Sequence, residues 1–321
     1  MEIEYNSLIN NKTWNIVDRP AAKNVIGCRW VFVIKRKPDG SIDKYKARLV
    51  AQGCSQKYNI DYRETYAPVV RHSTIRIVLA LAVQHKLLVW HIDIVAAYLN
   101  GDLEDEVYML QPPSFENANH PTKVCKLSKA LYGLRQAGRE WNKKVTAILL
   151  QMKFERCQTD NSVYFRKNND CITIIALYVD DMLLASSSEK DKVLVISQLN
   201  QEIEADDRGA ISFYLGMEIE REGPRGPIHI HQREYTLNLL SSWKMQNCKP
   251  ASTPWPSGTI LTKCDGKHCE LKCNEYQSLI GSLMYLAVIS RPDIAHAVSR
   301  LSQFNAHPHA EHFQVPKHLV R

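Results

Sequence analysis

The stretch that decides the fold is "IIALYVDDMLLAS", residues 174–186. A mostly apolar run rich in β-branched residues, 172–179, leads into Asp180 and Asp181, and small or apolar residues follow them. This pattern predicts a buried β-hairpin with two adjacent carboxylates at its tip. Two carboxylates about 4 Å apart repel by roughly 4 kcal/mol at an effective dielectric constant near 20. A cation is therefore expected there, although Asp is also a common turn residue.

A second apolar strand also ends on an acid. The segment "LLVWHID", residues 87–93, terminates at Asp93. Beside Asp180 and Asp181, this carboxylate would complete a triad of hard oxygen ligands of the kind that Mg²⁺ prefers. Two such ions, about 3.5–4 Å apart, can activate a hydroxyl nucleophile and stabilise a leaving phosphate. We therefore predict catalytic and metal-binding roles for these three aspartates, with Mg²⁺ as the ion and Mn²⁺ as a substitute.

Composition indicates a globular chain that contains more than one subdomain. The 321 residues are 45% hydrophobic and 23% charged, and no apolar run approaches the roughly 18 residues of a membrane span. The polar N-terminus does not resemble a secretory signal. Nine cysteines, an odd number, are more typical of reduced thiols than of a disulfide framework. We expect a soluble intracellular protein without a membrane partner.

The charge distribution predicts an anionic partner. Residues 19–76 carry 13 Lys and Arg against 4 Asp and Glu, and residues 123–144 carry 7 against 1. Residues 91–111 carry five acids and no Lys or Arg. Two basic segments around an acidic centre suggest a polyanion held over a cation site, whereas solvated basic surfaces are the alternative.

Periodicity and turn residues predict the remaining elements. Strands are predicted at 30–34 and 45–51 around a Pro38-Asp39-Gly40 turn, and within 87–99, 162–165, 171–179, 211–220 and 228–232. Helices are predicted at 75–83 after a Ser73 cap, at 139–153, from a Ser188/Asp191 capping box to about Glu204, at 276–287, and after Ser290-Arg-Pro-Asp293. Pro316 is expected to interrupt the terminal helix. The order predicts an α+β fold with a split βαβ sheet, helices on one of its faces, and a helical C-terminal subdomain after a Pro-rich linker at 249–258.

One cysteine cluster allows a second metal hypothesis. The segment "CDGKHCELKC" contains Cys264, His268, Cys269 and Cys273. Its spacing matches no standard zinc knuckle, so a polar loop with incidental cysteines is the alternative.

These segments together resemble one enzyme family. The chain is similar to the reverse transcriptases of copia-type LTR retrotransposons, from about Leu8 onward. The segments that carry the resemblance are "NKTWNIV", "GCRWVFVIKRKPDGSIDKYKARLVAQG", "YAPVVRHSTIRIVLALA", "HIDIVAAYLNGDLEDEVYMLQPP", "KLSKALYGLRQAGREW", "LYVDDMLLAS", "FYLGMEI" and "YQSLIGSLMYLAVISRPDIAHAV".

The resemblance implies a right-hand polymerase with fingers, palm and thumb. The implied parts are fingers at 1–86, palm at 87–112 and 158–232, a helical insertion at 113–157, and thumb or connection helices at 233–321, which stop before ribonuclease H. The implied activity is RNA-directed DNA synthesis from dNTPs on a primed RNA or DNA template. Integrase and ribonuclease H segments would be partners in a full element, in a cytoplasmic virus-like particle or the nucleus.

The resemblance also implies roles for individual residues. Asp93 and Asp180 would bind the metals, and Asp181 would complete the triad. Tyr98 would stack under the incoming sugar and exclude a 2′-hydroxyl, although a core aromatic is the alternative. The other implied nucleotide-binding residues are Gln136, Arg36, Lys46 and Arg48, and the implied primer grip is Tyr214, Leu215, Gly216 and Met217.

The sequence departs from the family at one turn near the predicted site. Asp206-Asp207-Arg208-Gly209 stands where the family usually has Lys-Asp-Leu-Gly, so an acid replaces a lysine. This change leaves open a degenerate copy that only binds nucleic acid or is inactive. A nucleotide cyclase on a similar palm is a further alternative, but the basic hairpin and Tyr98 favour a polymerase.

Overall fold

The computed structural model describes residues 1–36, 41–168, 171–262 and 273–321. The strands are β1 (Trp14–Val17), β2 (Val25–Ile26), β3 (Cys28–Arg36), β4 (Ile42–Ala51), β5 (Leu88–Ile94), β6 (Asp102–Met109), β7 (Val124–Lys129), β8 (Glu155–Arg156), β9 (Val163–Asn168), β10 (Cys171–Tyr178), β11 (Asp181–Ser186), β12 (Ala205–Ala210), β13 (Phe213–Tyr214), β14 (Met217–Arg221) and β15 (Ile228–His231). The helices are α1 (Glu2–Asn10), α2 (His72–Gln84), α3 (Ala137–Gln151), α4 (Glu189–Leu199), α5 (Arg233–Ser242), α6 (Cys273–Ile289), α7 (Ala295–Ser302) and α8 (Gln314–Val320). Short 3-10 helices are Gly53–Ser55, Ala97–Asn100, Pro292–Ile294 and Ala310–Phe313.

These elements form two compact units. One unit consists of Met1–Arg71 and Leu87–Ala210, and the other of His72–Lys86 and Ile211–Arg321. Helix α2 thus belongs to the second unit although both of its flanking segments belong to the first. Sequence periodicity predicted this helix, but its membership of a unit depends on packing over long sequence separations.

The first unit is built on a six-stranded antiparallel sheet with the order β12-β5-β11-β10-β9-β8. Strand β11 lies between β5 and β10, which gives the predicted split βαβ arrangement. Helices α3 and α4 pack on one face of this sheet, as predicted. Their buried side chains are Trp141, Val145, Ile148, Leu149, Val195 and Leu199. Full burial of each large apolar side chain contributes about 1.5–3 kcal/mol.

Two further sheets complete the first unit. Strands β3 and β4 form the predicted antiparallel ribbon, and the turn predicted at Pro38-Asp39-Gly40 lies outside the described residues. A four-stranded sheet has the order β1-β7-β6-β2, and its core includes residues of α1 and β4. The shared core fixes the base of the ribbon.

Two glycines bring the end of β4 against the turn that precedes α3. The Ala51 amide donates to the Tyr132 carbonyl at 2.8 Å. Gly133 has φ +92°, and a Cβ on it would lie 2.2 Å from the Ala51 oxygen. A Cβ on Gly53 would lie 2.0 Å from the Gly133 oxygen. Only residues without side chains permit this approach, which holds Tyr132 beside the ribbon.

The second unit combines helices with a three-stranded sheet, β13-β14-β15. The core of its helices includes apolar residues from α5 to α8, and the Tyr276 hydroxyl donates to the Leu301 carbonyl at 2.9 Å. Helix α2 joins this unit because Arg76 Nη1 donates to the carbonyls of Val288 and Ile289, at 2.7 and 3.0 Å. The predicted helices near the C-terminus are confirmed. Among the described helices, none has the length and apolar content to cross a bilayer.

Several local expectations were wrong. Residues 211–220 were expected to form one strand but fold into the antiparallel hairpin of β13 and β14. Ser188 is the N-cap of α4, but its side chain makes no capping hydrogen bond. The Asp191 carboxylate, which a capping box would direct to the Ser188 amide, accepts from Arg166 instead. The helix ends at Leu199, where Asn200 closes a turn onto Ala205. Pro316 does not interrupt the last helix. It lies in the first turn of α8, where the backbone N–H that proline lacks has no intrahelical partner.

A buried ion pair fastens α4 to the sheet. Arg166 Nη2 lies 2.7 Å from Asp191 Oδ1, with side-chain exposures of 6% and 13%, and Thr173 donates to the same carboxylate. Asp191→Ala would leave the arginine charge buried without its partner. We expect the free energy of unfolding to fall by about 3 kcal/mol, measured by urea denaturation.

The control for this prediction is Glu189→Ala. Glu189 lies in the same helical turn, but its side chain is 71% exposed. Its removal should change stability by less than about 0.5 kcal/mol. Equal losses in the two variants would show that helix charge, and not the buried pair, is responsible.

Candidate active site

The predicted acidic residues meet at one end of the six-stranded sheet. Asp93 on β5 is the direct cross-strand partner of Asp181 on β11. Asp180 precedes Asp181 in the hairpin turn, and its carbonyl accepts the Ile94 amide at 2.8 Å. The backbone therefore holds all three residues in one register. Asp206, in the segment that departs from the family, lies on strand β12 and not in a turn, and it pairs with Asp93 from the other side, which adds a fourth acid.

The hairpin turn that presents Asp180 is strained. Val179 has φ +54°, a conformation that β-branched residues rarely adopt. The buried Trp141 of α3 donates from Nε1 to the Val179 carbonyl at 2.7 Å. Such backbone strain costs of order 1–3 kcal/mol and persists only where neighbouring contacts hold it. Here α3 supplies that contact.

The acidic cluster has a measurable electrostatic cost. Burial raises the pKa of the Asp180 carboxyl above its ordinary value of 3.8, and the charges of Asp181 and Asp93 raise it further. The Arg48 guanidinium acts in the opposite direction. The fold therefore keeps a carboxylate where its charged form is disfavoured, as expected at a cation site.

Two basic groups contact the triad. His91 Nε2 lies 2.9 Å from Asp181 Oδ1, and Arg208 Nη2 lies 2.5 Å from Asp93 Oδ2. The pKa of Arg208 is raised chiefly by its hydrogen bond to Asp93. Within the described ranges, no three His, Cys, Asp or Glu side chains stand close enough to hold a metal ion as they are. The triad has the donor chemistry for a hard cation, but two of its members are engaged by protein groups.

The alternative zinc site was predicted at Cys264, His268, Cys269 and Cys273. Residues 264, 268 and 269 lie outside the described part of the structure, so that hypothesis stays a prediction.

Tyr98 lies close to the triad through a short turn. Ala96 adopts a left-handed conformation with φ 52°, and the 3-10 helix Ala97–Asn100 follows. The half-buried Tyr98 ring packs against both cores of the first unit. Burial raises the pKa of its phenol, and the charge of Asp180 raises it further. Both the predicted site position and the alternative core role have support in these contacts.

Arg48 and Tyr132 extend this cluster. The Tyr98 and Tyr132 rings meet edge to face, with centroids 4.9 Å apart. The Arg48 guanidinium lies 4.9 Å from the Tyr132 centroid, a cation–π contact. The Arg48 Nε atom is buried and has no hydrogen-bond partner. A cation held by a ring and not by a carboxylate retains most of its capacity to bind an anion.

The structure gives less information about Lys46 and Arg36, the other nucleotide-binding residues predicted on the ribbon. Lys46 lies two residues before Arg48 on β4, on the same face, and its charge acts on Glu4. Arg36 ends β3, and its side chain lies outside the described part of the structure.

Gln136 occupies a buried structural position. Its side chain is 1% exposed, its Oε1 accepts from Gln56 at 3.0 Å, and its Nε2 donates to the Asp61 carbonyl at 2.8 Å. These bonds fasten the loop after β4 to the start of α3. The predicted contact of Gln136 with a nucleotide stays a prediction.

The predicted primer-grip residues belong to the second unit, in the β13–β14 hairpin. Tyr214 and Met217 pair across the turn and are buried, while Leu215 and Gly216 form it with φ of 48° and 82°. A Cβ on Gly216 would lie 2.0 Å from the Tyr285 hydroxyl, so the turn depends on glycine.

Sequence reasoning missed the site positions of His91 and Tyr132, and it missed the pairing of Asp206 with Asp93. The alternation of β5 places His91 on the face of Asp93, so it could have been inferred. Tyr132 is in "LYGLRQAG", but only the approach of β4 reveals that it lies under Arg48. Asp206 needed the pairing of β12 with β5.

Comparison with known proteins identifies the family. Residues 11–257 match the family described as reverse transcriptase (RNA-dependent DNA polymerase). The chain belongs to this reverse transcriptase family. The resemblance that the motifs indicated is thereby confirmed.

Relatives of this reverse transcriptase chain include transposon proteins of plants and yeast. It is 39% identical to the retrovirus-related Pol polyprotein from transposon RE1 of Arabidopsis thaliana, over all of this chain and 22% of that protein. It is 39% identical to the corresponding polyprotein of transposon TNT 1-94 of Nicotiana tabacum, over all of this chain and 25% of that protein. A Ty5-1 transposon protein of Saccharomyces cerevisiae is 31% identical over 71% of this chain and 74% of its own length. The chain spans about a quarter of the plant polyproteins.

The raised pKa of Asp180 predicts a gain of stability on neutralisation. An ionised Asp180 destabilises the folded state above its folded pKa, and this penalty disappears as the pH falls to about 3.8. Asp180→Asn should therefore raise the free energy of unfolding at pH 7 by up to about 1 kcal/mol, and by nothing near pH 3.5. Thermal melts in a chelator at both pH values measure this.

A matched control is Asp102→Asn. Asp102 is 68% exposed and pairs with Lys129 at 2.6 Å. Its neutralisation should not stabilise the protein at pH 7. A gain in this control as large as that of Asp180→Asn would mean that general charge, not the triad, sets the effect.

Proposed function

We propose that the chain is an RNA-directed DNA polymerase domain that extends a primer with dNTPs by two-metal catalysis. The observation that carries the proposal is the cross-strand register of Asp93 and Asp181 beside Asp180. Family membership supports the activity. The six-stranded sheet would be the palm, the β3–β4 ribbon part of the fingers, and helices α5 to α8 the thumb or connection.

Asp93, Asp180 and Asp181 are the residues that would hold two Mg²⁺ ions. When bound, these ions supply a Lewis acid that activates the primer hydroxyl and stabilises the pyrophosphate leaving group. The fold contributes a backbone that fixes the acids in register and a histidine that orients Asp181. The unfavourable charge of Asp180 supports the fit of a cation. Mn²⁺ could replace Mg²⁺ because it takes similar oxygen ligands.

The incoming nucleotide would lie against Tyr98, Tyr132 and Arg48. Arg48 is the best candidate for the triphosphate because its guanidinium is fixed by the Tyr132 ring and has a buried Nε without a partner. The Tyr98 ring would limit the space beside the sugar. Lys46, on the same face of β4, and Arg36 would add positive potential along the ribbon.

Positive charge and the predicted primer grip would hold the primer and template. The basic segments of the fingers and of α3 provide the positive charge that phosphate binding needs. The β13–β14 turn, from Tyr214 to Met217, is the proposed primer grip. In a full-length element, integrase and ribonuclease H segments would accompany this domain in a cytoplasmic particle or the nucleus.

Primer extension tests this proposal. The purified chain, with Mg²⁺ and dTTP, is expected to extend oligo(dT) on poly(rA), and folded Asp180→Asn to lose extension because a metal ligand is gone. A folded chain that binds the primer–template without extending it would favour the degenerate copy. Cyclisation of nucleoside triphosphates without primer extension would favour a cyclase. Extension by Asp180→Asn at the wild-type rate would exclude the triad assignment.

Sugar selection is a sharper prediction. Tyr98→Val should open space for a 2′-hydroxyl and raise rNTP use relative to dNTP use by at least about tenfold, which corresponds to 1.4 kcal/mol of steric rejection. The same change should lower the free energy of unfolding by about 2 kcal/mol, because the ring also packs against two cores. The ratio of kcat/KM values and a melting curve measure the two effects separately.

Tyr98→Phe is the matched control. It keeps the ring and loses only the hydroxyl, so discrimination should stay near the wild-type value. An unchanged rNTP/dNTP ratio in a folded Tyr98→Val protein would assign Tyr98 to packing alone.

A further inference from the structure

We propose that Arg208 is a built-in counter-ion of the metal site, which holds Asp93 when no metal is bound and is displaced when a divalent cation enters. This inference rests on the proposed metal-binding role of the triad. It follows from one short contact, Arg208 Nη2 to Asp93 Oδ2 at 2.5 Å. The guanidinium thus lies where a cation would otherwise neutralise that carboxylate.

The backbone of β12 aims Arg208 at Asp93. Strand β12 pairs with β5 at Asp206 and Asp207, and the register then shifts before Ala210. Gly209, with φ +84°, lies in this irregular stretch, and its amide donates to Asp207 Oδ1 at 2.9 Å. Such a bulge redirects a neighbouring side chain. Arg208 is therefore positioned by the strand and not by chance extension of a long side chain.

The negative charges around Arg208 favour a cationic side chain beside Asp93. Four acids surround the end of the sheet, and Arg208 also lies 3.5 Å from Asp206. The charges of Asp93, Asp206 and Asp181 all stabilise the protonated guanidinium. Without it, Asp93 would lose this ion pair while it faces Asp181 and Asp206 on the neighbouring strands.

The exposure of Arg208 permits a divalent cation to replace its guanidinium at Asp93. The Arg208 side chain is 52% exposed, and that of Asp93 is 28% exposed. The guanidinium can therefore move into solvent, and the Asp93 carboxylate that it leaves remains partly in contact with water. An incoming divalent cation gains the carboxylate but must first displace this contact. Arg208 therefore lowers metal affinity and stabilises the metal-free protein.

Direct Mn²⁺ binding tests the inference without any measurement of activity. The metal-free full chain is titrated with Mn²⁺, and free Mn²⁺ is followed by electron paramagnetic resonance. Arg208→Gln should bind Mn²⁺ about fivefold more tightly than the wild type, the factor expected for loss of one partly exposed ion pair. It should also melt at a lower temperature in a chelator and gain more from added Mn²⁺.

Three comparison variants separate the possible causes. Lys192 carries the same charge as Arg208 but pairs with Asp207, at 2.8 Å, and not with Asp93. Lys192→Gln should therefore leave the Mn²⁺ affinity within about twofold of wild type. Arg208→Lys keeps the charge and should tighten binding less than Arg208→Gln. Asp93→Asn should weaken Mn²⁺ binding because it removes a proposed ligand.

Each outcome has a distinct meaning. Unchanged affinity in Arg208→Gln, together with weaker binding in Asp93→Asn, would overturn the counter-ion role and leave the metal site standing. Equal tightening in Arg208→Gln and Lys192→Gln would reduce the effect to surface charge and also overturn it. Unchanged binding in Asp93→Asn would overturn the metal site itself.

Discussion

The antiparallel register between β5 and β11 is the constraint on which the site depends. Along β5, Trp90, Ile92 and Ile94 are buried in the core that α3 and α4 share, while His91 and Asp93 alternate with them. A slip by one residue would exchange the two sets, because strand side chains alternate with a period of two. The same apolar burial that stabilises the sheet therefore fixes Asp93 and Asp181 opposite each other.

The site also contains costs that the surrounding core must offset. Val179 adopts a disfavoured backbone conformation, and Asp180 carries a charge that burial and its neighbours oppose. The hydrogen bond from Trp141 restrains the backbone at Val179. Arg48 and Arg208 offset part of the negative charge of the aspartates. Natural proteins commonly depart from local rules at functional sites and compensate elsewhere. Here the compensation comes from elements that are distant in sequence.

The sequence alone predicts β3 to β5, β9 to β11, β15, most helices and the three acids, because these depend on local apolar patterns and on recognisable motifs. It misses β1, β2, β6, β7, β8 and β12, which are short or rich in polar residues. It does not predict partners. Asp191 was expected to cap α4 but pairs with Arg166, since a buried guanidinium outcompetes a backbone amide for a nearby carboxylate. Gln136, whose predicted contact with a nucleotide stays a prediction, bonds to Gln56 and Asp61, and no local pattern indicates these partners. Each outcome was decided by a residue at least 25 positions away, which periodicity cannot detect.

The assignment of α2 to the second unit has a consequence for the order of events during synthesis. Its apolar residues, Ile75, Val78, Leu79 and Ala82, are buried in a unit whose other members begin at Ile211. A ribosome adds about 5–20 residues per second, so α2 emerges roughly 7–30 seconds before β15 and roughly 10–40 seconds before α6, the elements that pack against it. During that interval an apolar helix is tethered between segments that belong to the first unit. A nascent chain of this kind is a natural client for chaperones that bind exposed apolar helices.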